Sequence, residues 1–79
     1  AQHMSTLALA ANSPYIGHQL GAIDLAQFGT QCLDLRRAGL SLPSFAQEPL
    51  QAGDVLVLQG TPEALLALEH FFSSSPPRQ

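Results

Sequence analysis

The sequence predicts an α+β fold: a small, mostly antiparallel four-stranded sheet with two helices, in the order β-α-β-β-β-α. Three observations carry that expectation. Gly53-Asp54 is a turn signal, and the uninterrupted apolar run 55–58 behind it, rich in β-branched residues, reads as a strand buried on both faces. Thr61-Pro62-Glu63 then opens a helix with a hydroxyl N-cap, a proline at the first helical position and an acid in the first turn. Upstream, residues 6–11 and 31–37 are short strand-like stretches separated by a helical spacing, an order that suits helices packed on one small sheet.

Taken in order, residues 1–4 (Ala1-Gln2-His3-Met4) read as a cloning remnant and are set apart from the fold, which is expected over 5–72. In the first strand, 6–11, Leu7 and Leu9 share one face and Ala8 and Ala10 the other. Asn12-Ser13-Pro14 ends it as a turn. Ile16, Leu20 and Ile23 recur at helical spacing. Gly17 and Gly21 each weaken that helix by roughly 1 kcal/mol relative to alanine. Residues 16–28 are therefore expected as one helix with a hitch at Asp24, or as two short pieces, ending at Gly29 in the left-handed conformation.

The second strand, 31–37, places Leu33 and Leu35 on one face and Cys32, Asp34 and Arg36 on the other. Ala38-Gly39 turns the chain into a short third strand, 40–42, stopped by Pro43. Residues 44–51 form a loop, followed by the 55–59 strand and a 62–72 helix. On that helix Ala64, Leu65, Leu68, Phe71 and Phe72 form one broad apolar face, with Glu63, Ala67 and His70 opposite. The Ser/Pro-rich residues 73–79 have nothing to bury and are expected to be disordered.

Composition narrows the function. A 79-residue chain makes one domain that buries only about 60% of its unfolded surface, so its core is marginal. The single Cys32 excludes an internal disulfide, and no zinc-ligand spacing is present, which leaves self-association as the expected remedy. There is no lysine and the net charge is −3, a poor footprint for nucleic acid or an anionic membrane. Charged residues make up 11%, against roughly 25% in typical domains, so part of the surface is expected to be covered.

Catalytic groups are few. Cys32 with His18 or His70 could in principle pair as nucleophile and base, but a mid-strand cysteine is more commonly a small buried residue. No enzymatic activity and no cofactor or metal are expected. Asp54 reads as a turn residue accepting backbone N–H groups. Arg36-Arg37 is the only concentrated positive charge, either solvated and paired with Asp34 or offering planar donor forks to an anion.

Ser13-Pro14-Tyr15-Ile16-Gly17-His18-Gln19-Leu20, then Arg37-Ala38-Gly39, then Leu50-x-x-Gly53-Asp54-Val55-Leu56-Val57-Leu58-x-Gly60 together resemble the TrkA C-terminal domain, the C-lobe of RCK modules that regulate potassium conductance. The resemblance runs from about residue 6 to 72; Gly21 departs from it, replacing a residue that is commonly polar or charged. It implies a homodimeric, non-enzymatic regulatory domain on the cytoplasmic face of the cell membrane, part of a potassium or cation transport protein such as a cation/proton antiporter. The partner would be the membrane region of the same parent protein. A cyclic dinucleotide such as cyclic di-AMP, or another small anionic effector, is the implied ligand. The expected site joins the Asn12-Ser13-Pro14-Tyr15 loop to Arg36 and Arg37; Leu66 and residues 16–23 are candidate dimer contacts. A purely structural dimerisation module and the effector domain of a soluble transcription regulator are the alternatives.

Overall fold

The computed structural model describes residues 2–73. Its strands are β1 (His3–Ala8), β2 (Gln31–Arg37), β3 (Leu40–Ser41) and β4 (Val55–Gly60), and one α-helix follows, α1 (Pro62–Ser73). The strands lie in the order β1-β4-β2-β3 and every neighbouring pair is antiparallel. The α+β class is as expected, with one α-helix rather than two. Residues 74–79, where the disordered tail was expected, lie outside the described residues.

The strand boundaries shift in ways that hydrogen bonding explains. β1 starts at His3 and stops at Ala8, because His3 and Met4 pair with Gly60 and Gln59 at the end of the central strand. The strand therefore includes two residues that the sequence reading set apart. Leu9 N–H still donates to the Asp54 carbonyl at 2.8 Å before the chain turns away. β2 has the expected bounds; β3 is one residue shorter than expected.

β4 alternates: Leu56, Leu58 and Gly60 are buried, while Val55, Val57 and Gln59 are half-buried. α1 covers only one face of the sheet, so the expectation of a strand buried on both faces is corrected. The core comprises Leu9, Leu20, Leu35, Leu50, Leu56, Leu58, Leu68 and Phe72. On α1 the expected face is realised: Leu68 and Phe72 are buried, while Ala64, Leu65 and Phe71 are half-buried. Thr61 Oγ1 accepts the Ala64 N–H at 3.1 Å, the N-cap the sequence announces.

The β2–β4 register slips between Cys32 and Asp34, leaving Leu33 as an extra residue. The bulge reverses the strand's parity. Cys32 and Leu35 now both pack against the core, and Leu33 is exposed, correcting the expected pairing of Leu33 with Leu35.

Residues 16–28 take the second of the two expected forms, two short pieces broken at Asp24, but as 3-10 turns rather than α-helix. Two 3-10 turns stand there, Leu20–Ala22 and Leu25–Phe28, the second ended by Gly29 at φ 72°. Asp24 precedes the second turn without a side-chain cap. At the start of this segment the backbone groups find partners elsewhere: Gly17 N–H donates to the Leu50 carbonyl at 2.7 Å, and Leu50 N–H to the His18 carbonyl at 2.9 Å, whereas from Ala22 on the bonds are local. Those long-range bonds, with Gln19 bridged to Pro49, replace the i−4 ladder of a helix.

The glycine that departs from the family resemblance has a steric reason. A Cβ at Gly21 would lie 2.8 Å from the Ala46 carbonyl oxygen, so the Leu20–Ala22 turn can touch the 45–47 turn only without a side chain. Gly21→Ala should therefore destabilise the domain by about 1–3 kcal/mol, the range for overpacking. Chemical denaturation measures this; a gain in stability would mean that the two turns do not meet.

Candidate functional site

The loop after β1 is built around one buried hydroxyl. Ser13 N–H donates to the Ala10 carbonyl at 3.0 Å, and Ser13 Oγ accepts the Tyr15 N–H at 3.3 Å. The hydroxyl itself donates to the Phe72 carbonyl at 2.7 Å, satisfying one of the carbonyls that the last turn of α1 leaves without an intrahelical partner. Tyr15 is clamped beside it. Its ring stacks on Phe71 at 4.6 Å and meets Phe72 and His18 edge-on at 5.7 and 5.5 Å. Asn12 is exposed and Pro14 half-buried, so the loop presents an amide and a rigid ring over a fixed base.

At the end of β2 the two arginines part, because neighbouring residues of a strand point to opposite faces. Arg36 is exposed, its Nε donating to Asp34 Oδ2 at 3.2 Å, the pairing the sequence suggested. Asp34 also accepts the Ser41 hydroxyl at 2.7 Å and the Leu35 N–H. The Ser41 hydroxyl holds its carboxyl below the usual range, outweighing its desolvation, and Arg36 and the Leu35 N–H add to the effect.

Arg37 is enclosed by acceptors. Its Nε and Nη2 each donate to one oxygen of Asp54 at 2.9 Å, Nη2 also to the Pro49 carbonyl at 3.0 Å, and Nη1 to Glu48 at 3.4 Å. Asp54 is fully buried and accepts the Gln51 N–H at 2.9 Å as well. Burial pushes its carboxyl up, but the Arg37 fork and the Gln51 N–H together outweigh burial and leave it below the usual carboxylate range. Asp54 thus plays the expected turn role, with Gly53 at φ 86° beside it. It also neutralises Arg37, a pairing across seventeen positions that carries no local sequence signal.

The loop 12–15 and the two arginines thus stand apart, with no hydrogen bond directly between them, and the arginines themselves part to opposite faces. Asp54 links the loop to Arg37 mechanically: its carboxylate holds Arg37 while its carbonyl accepts the Leu9 N–H, three residues before Asn12. Two grooves lie elsewhere, between β1 and α1. One of ≈ 540 Å³ runs along Leu7, Leu9, Leu66, His70 and Phe72, and one of ≈ 440 Å³ along Ser5, Leu58, Leu65 and Leu66. None of the six candidates lines either, and the sequence reading did not anticipate them.

Burial first, then the nearby Asp34 charge, pushes the Cys32 thiol up, against the Asp34 carbonyl to which it donates at 3.2 Å. Among the described residues there is no cluster of three potential metal ligands, and no helix long and apolar enough to cross a membrane.

Residues 4–73 match the family model of the TrkA-C domain. Among curated proteins the chain is similar to the "Putative K(+) efflux antiporter KefB" of Alkalimonas amylolytica, 42% identical over 66 residues, which is 81% of this chain and 10% of the antiporter. Among solved structures it is similar to the GsuK RCK domain and to the GsuK channel, each with a TM-score of 0.75 and 24% identity over 95% of this chain. It covers 16% and 14% of those two chains, and at that identity the likeness is one of fold. The chain spans about a tenth of the length of its curated relative.

Proposed function

The chain belongs to the TrkA-C domain family, and from that premise we propose that it is a non-enzymatic, dimerising, ligand-sensing domain of a membrane potassium or cation transport protein, with a cation/proton antiporter as the favoured parent. The observation that carries the reading is the 42% identity with a potassium efflux antiporter over four-fifths of the chain. The domain would sit on the cytoplasmic face of the membrane, attached to the transport region of the same protein. Its mechanism is linkage: an effector that prefers one dimer geometry shifts the attached carrier by its differential affinity for the two states.

The effector we propose is a small anion of the cyclic-dinucleotide class, met by Asn12, Ser13, Pro14, Tyr15, Arg36 and Arg37. The geometry divides their labour. Ser13 and Arg37 are engaged internally and fix the two walls, whereas the Asn12 amide and the Arg36 guanidinium face solvent and meet the ligand. Arg37 is therefore the wrong residue to delete in a test, since its loss strands the buried Asp54.

Calorimetric titration with cyclic di-AMP is the direct experiment. Wild type is expected to bind, and Arg36→Ala to bind roughly ten-fold or more weakly, the scale of one charge-assisted hydrogen bond. Binding that Arg36→Ala leaves unchanged removes Arg36 from the site. The internal engagement of Ser13 and Arg37 also favours a second reading, a purely structural dimerisation module. Absence of binding heat in a folded, dimeric wild type selects it over the cyclic-dinucleotide site.

A further inference from the structure

We propose that β1 is the seam of the dimer: two copies pair their β1 strands antiparallel about a two-fold axis at Thr6, joining two four-stranded sheets into one continuous sheet. The inference rests on the dimeric reading above and says which surface performs it.

The two edges of the sheet are treated differently. An unpaired edge is a template for a further strand, and proteins blunt it by shortness, charge, proline or a bulge. The β3 edge is blunted: it is two residues long, and Pro43 follows shortly after. The β1 edge has none of these devices. It runs six residues, contains no Lys, Arg, Asp, Glu or Pro, and pairs with β4 in unbroken register. Every residue of β1 except Leu7 is exposed, and Met4 is 66% exposed.

Parity says which backbone groups are available. Leu9 directs its N–H and carbonyl toward β4, so Leu7 and Ser5 do likewise. Met4, Thr6 and Ala8 therefore turn theirs outward. Thr6 is the middle of the three. A two-fold axis there makes Thr6 face its own copy and Met4 face the partner's Ala8, so each outward residue exchanges N–H···O=C bonds in both directions. The strand suits itself as an occupant because it brings no like charges together, and a threonine pair opposite each other is a favourable cross-strand contact. The same approach brings the partner's Leu7 beside the groove under Leu66, which is 66% exposed in the single chain.

The test combines edge variants with sedimentation, after a melting curve has established that each variant is folded. Thr6→Lys places two ammonium groups opposite each other while leaving β1–β4 pairing intact, and should sediment at the 8.4 kDa monomer mass where wild type is dimeric. Position-specific oxidation checks the register in a Cys32→Ser background. Cα atoms of a facing pair lie about 5.5 Å apart, within disulfide reach. Thr6→Cys should therefore form a covalent dimer, whereas Ala8→Cys, displaced from its own copy by about four residues or ~13 Å, should not. A dimer that survives Thr6→Lys, or that crosslinks at Ala8 and not at Thr6, overturns the seam and leaves the dimer standing. A monomeric wild type overturns both.

Discussion

Leu68→Ala is expected to lower the melting temperature by roughly 10 °C or more, following a loss of about 2–5 kcal/mol. Leu68 is 0% exposed on the face of α1 that covers Leu56 and Leu58, and among the described residues α1 is the only α-helix over this sheet. Natural domains have only about 5–15 kcal/mol in total, and one this small lies at the low end, so cooperative unfolding near room temperature is threatened. The exposed neighbour Ala67 provides the contrast: Ala67→Ser should stay within about 0.5 kcal/mol. Circular dichroism melts of the two variants decide it. Equal shifts would mean that the buried face of α1 has been misassigned.

The second large effect is pH-dependent. The folded pKa of Asp54 lies below its unfolded value of about 3.9, so the fold favours the ionised form. The resulting stability is fully present above the unfolded value and is lost as pH falls through the folded one. Asp54→Asn should therefore be less stable than wild type at pH 7, by on the order of 1.5–3 kcal/mol for a hydrogen bond to a charged group. The gap should narrow in acid as wild type loses its own ion pair. Asp34 shifts in the same sense, but it is present in both proteins and drops out of the difference. Arg37→Ala should be worse than Asp54→Asn at neutral pH, because it leaves a buried carboxylate unpaired, whereas Arg37 without Asp54 still reaches water. A gap that stays constant from pH 7 to about pH 2 would show that the pair adds no linkage.

What could be read from the sequence was local in origin. The Gly53-Asp54 turn, the Thr61 cap, the α1 face and the bounds of β2 follow from neighbouring residues, and the structure bears them out. The failures share a different cause. Residues 16–28 have helical spacing, yet Gly17 and His18 bond to Leu50, more than thirty positions away, and what remains is two short 3-10 pieces rather than one α-helix. Leu33 bulges because of how β2 registers against β4, and alternation alone cannot signal an extra residue. At the candidate site the Arg36–Asp34 pairing was legible because the residues lie two apart. The Arg37–Asp54 pair and the Ser13 latch onto Phe72 were not, since each joins distant parts of the chain.

Strand order also sets a schedule for the nascent chain. β1 and β2 both pair with β4 and not with each other. As residues leave the ribosome, β1 therefore emerges first and has no neighbour until β4 appears about fifty positions later. At about 5–20 residues per second that is a wait of seconds, during which only the β2–β3 hairpin can form locally. The uncharged first strand is then most open to capture by another chain. Release of β4 and α1 closes the sheet and its core together, so folding should be largely post-translational and slower than in a helical domain of equal length.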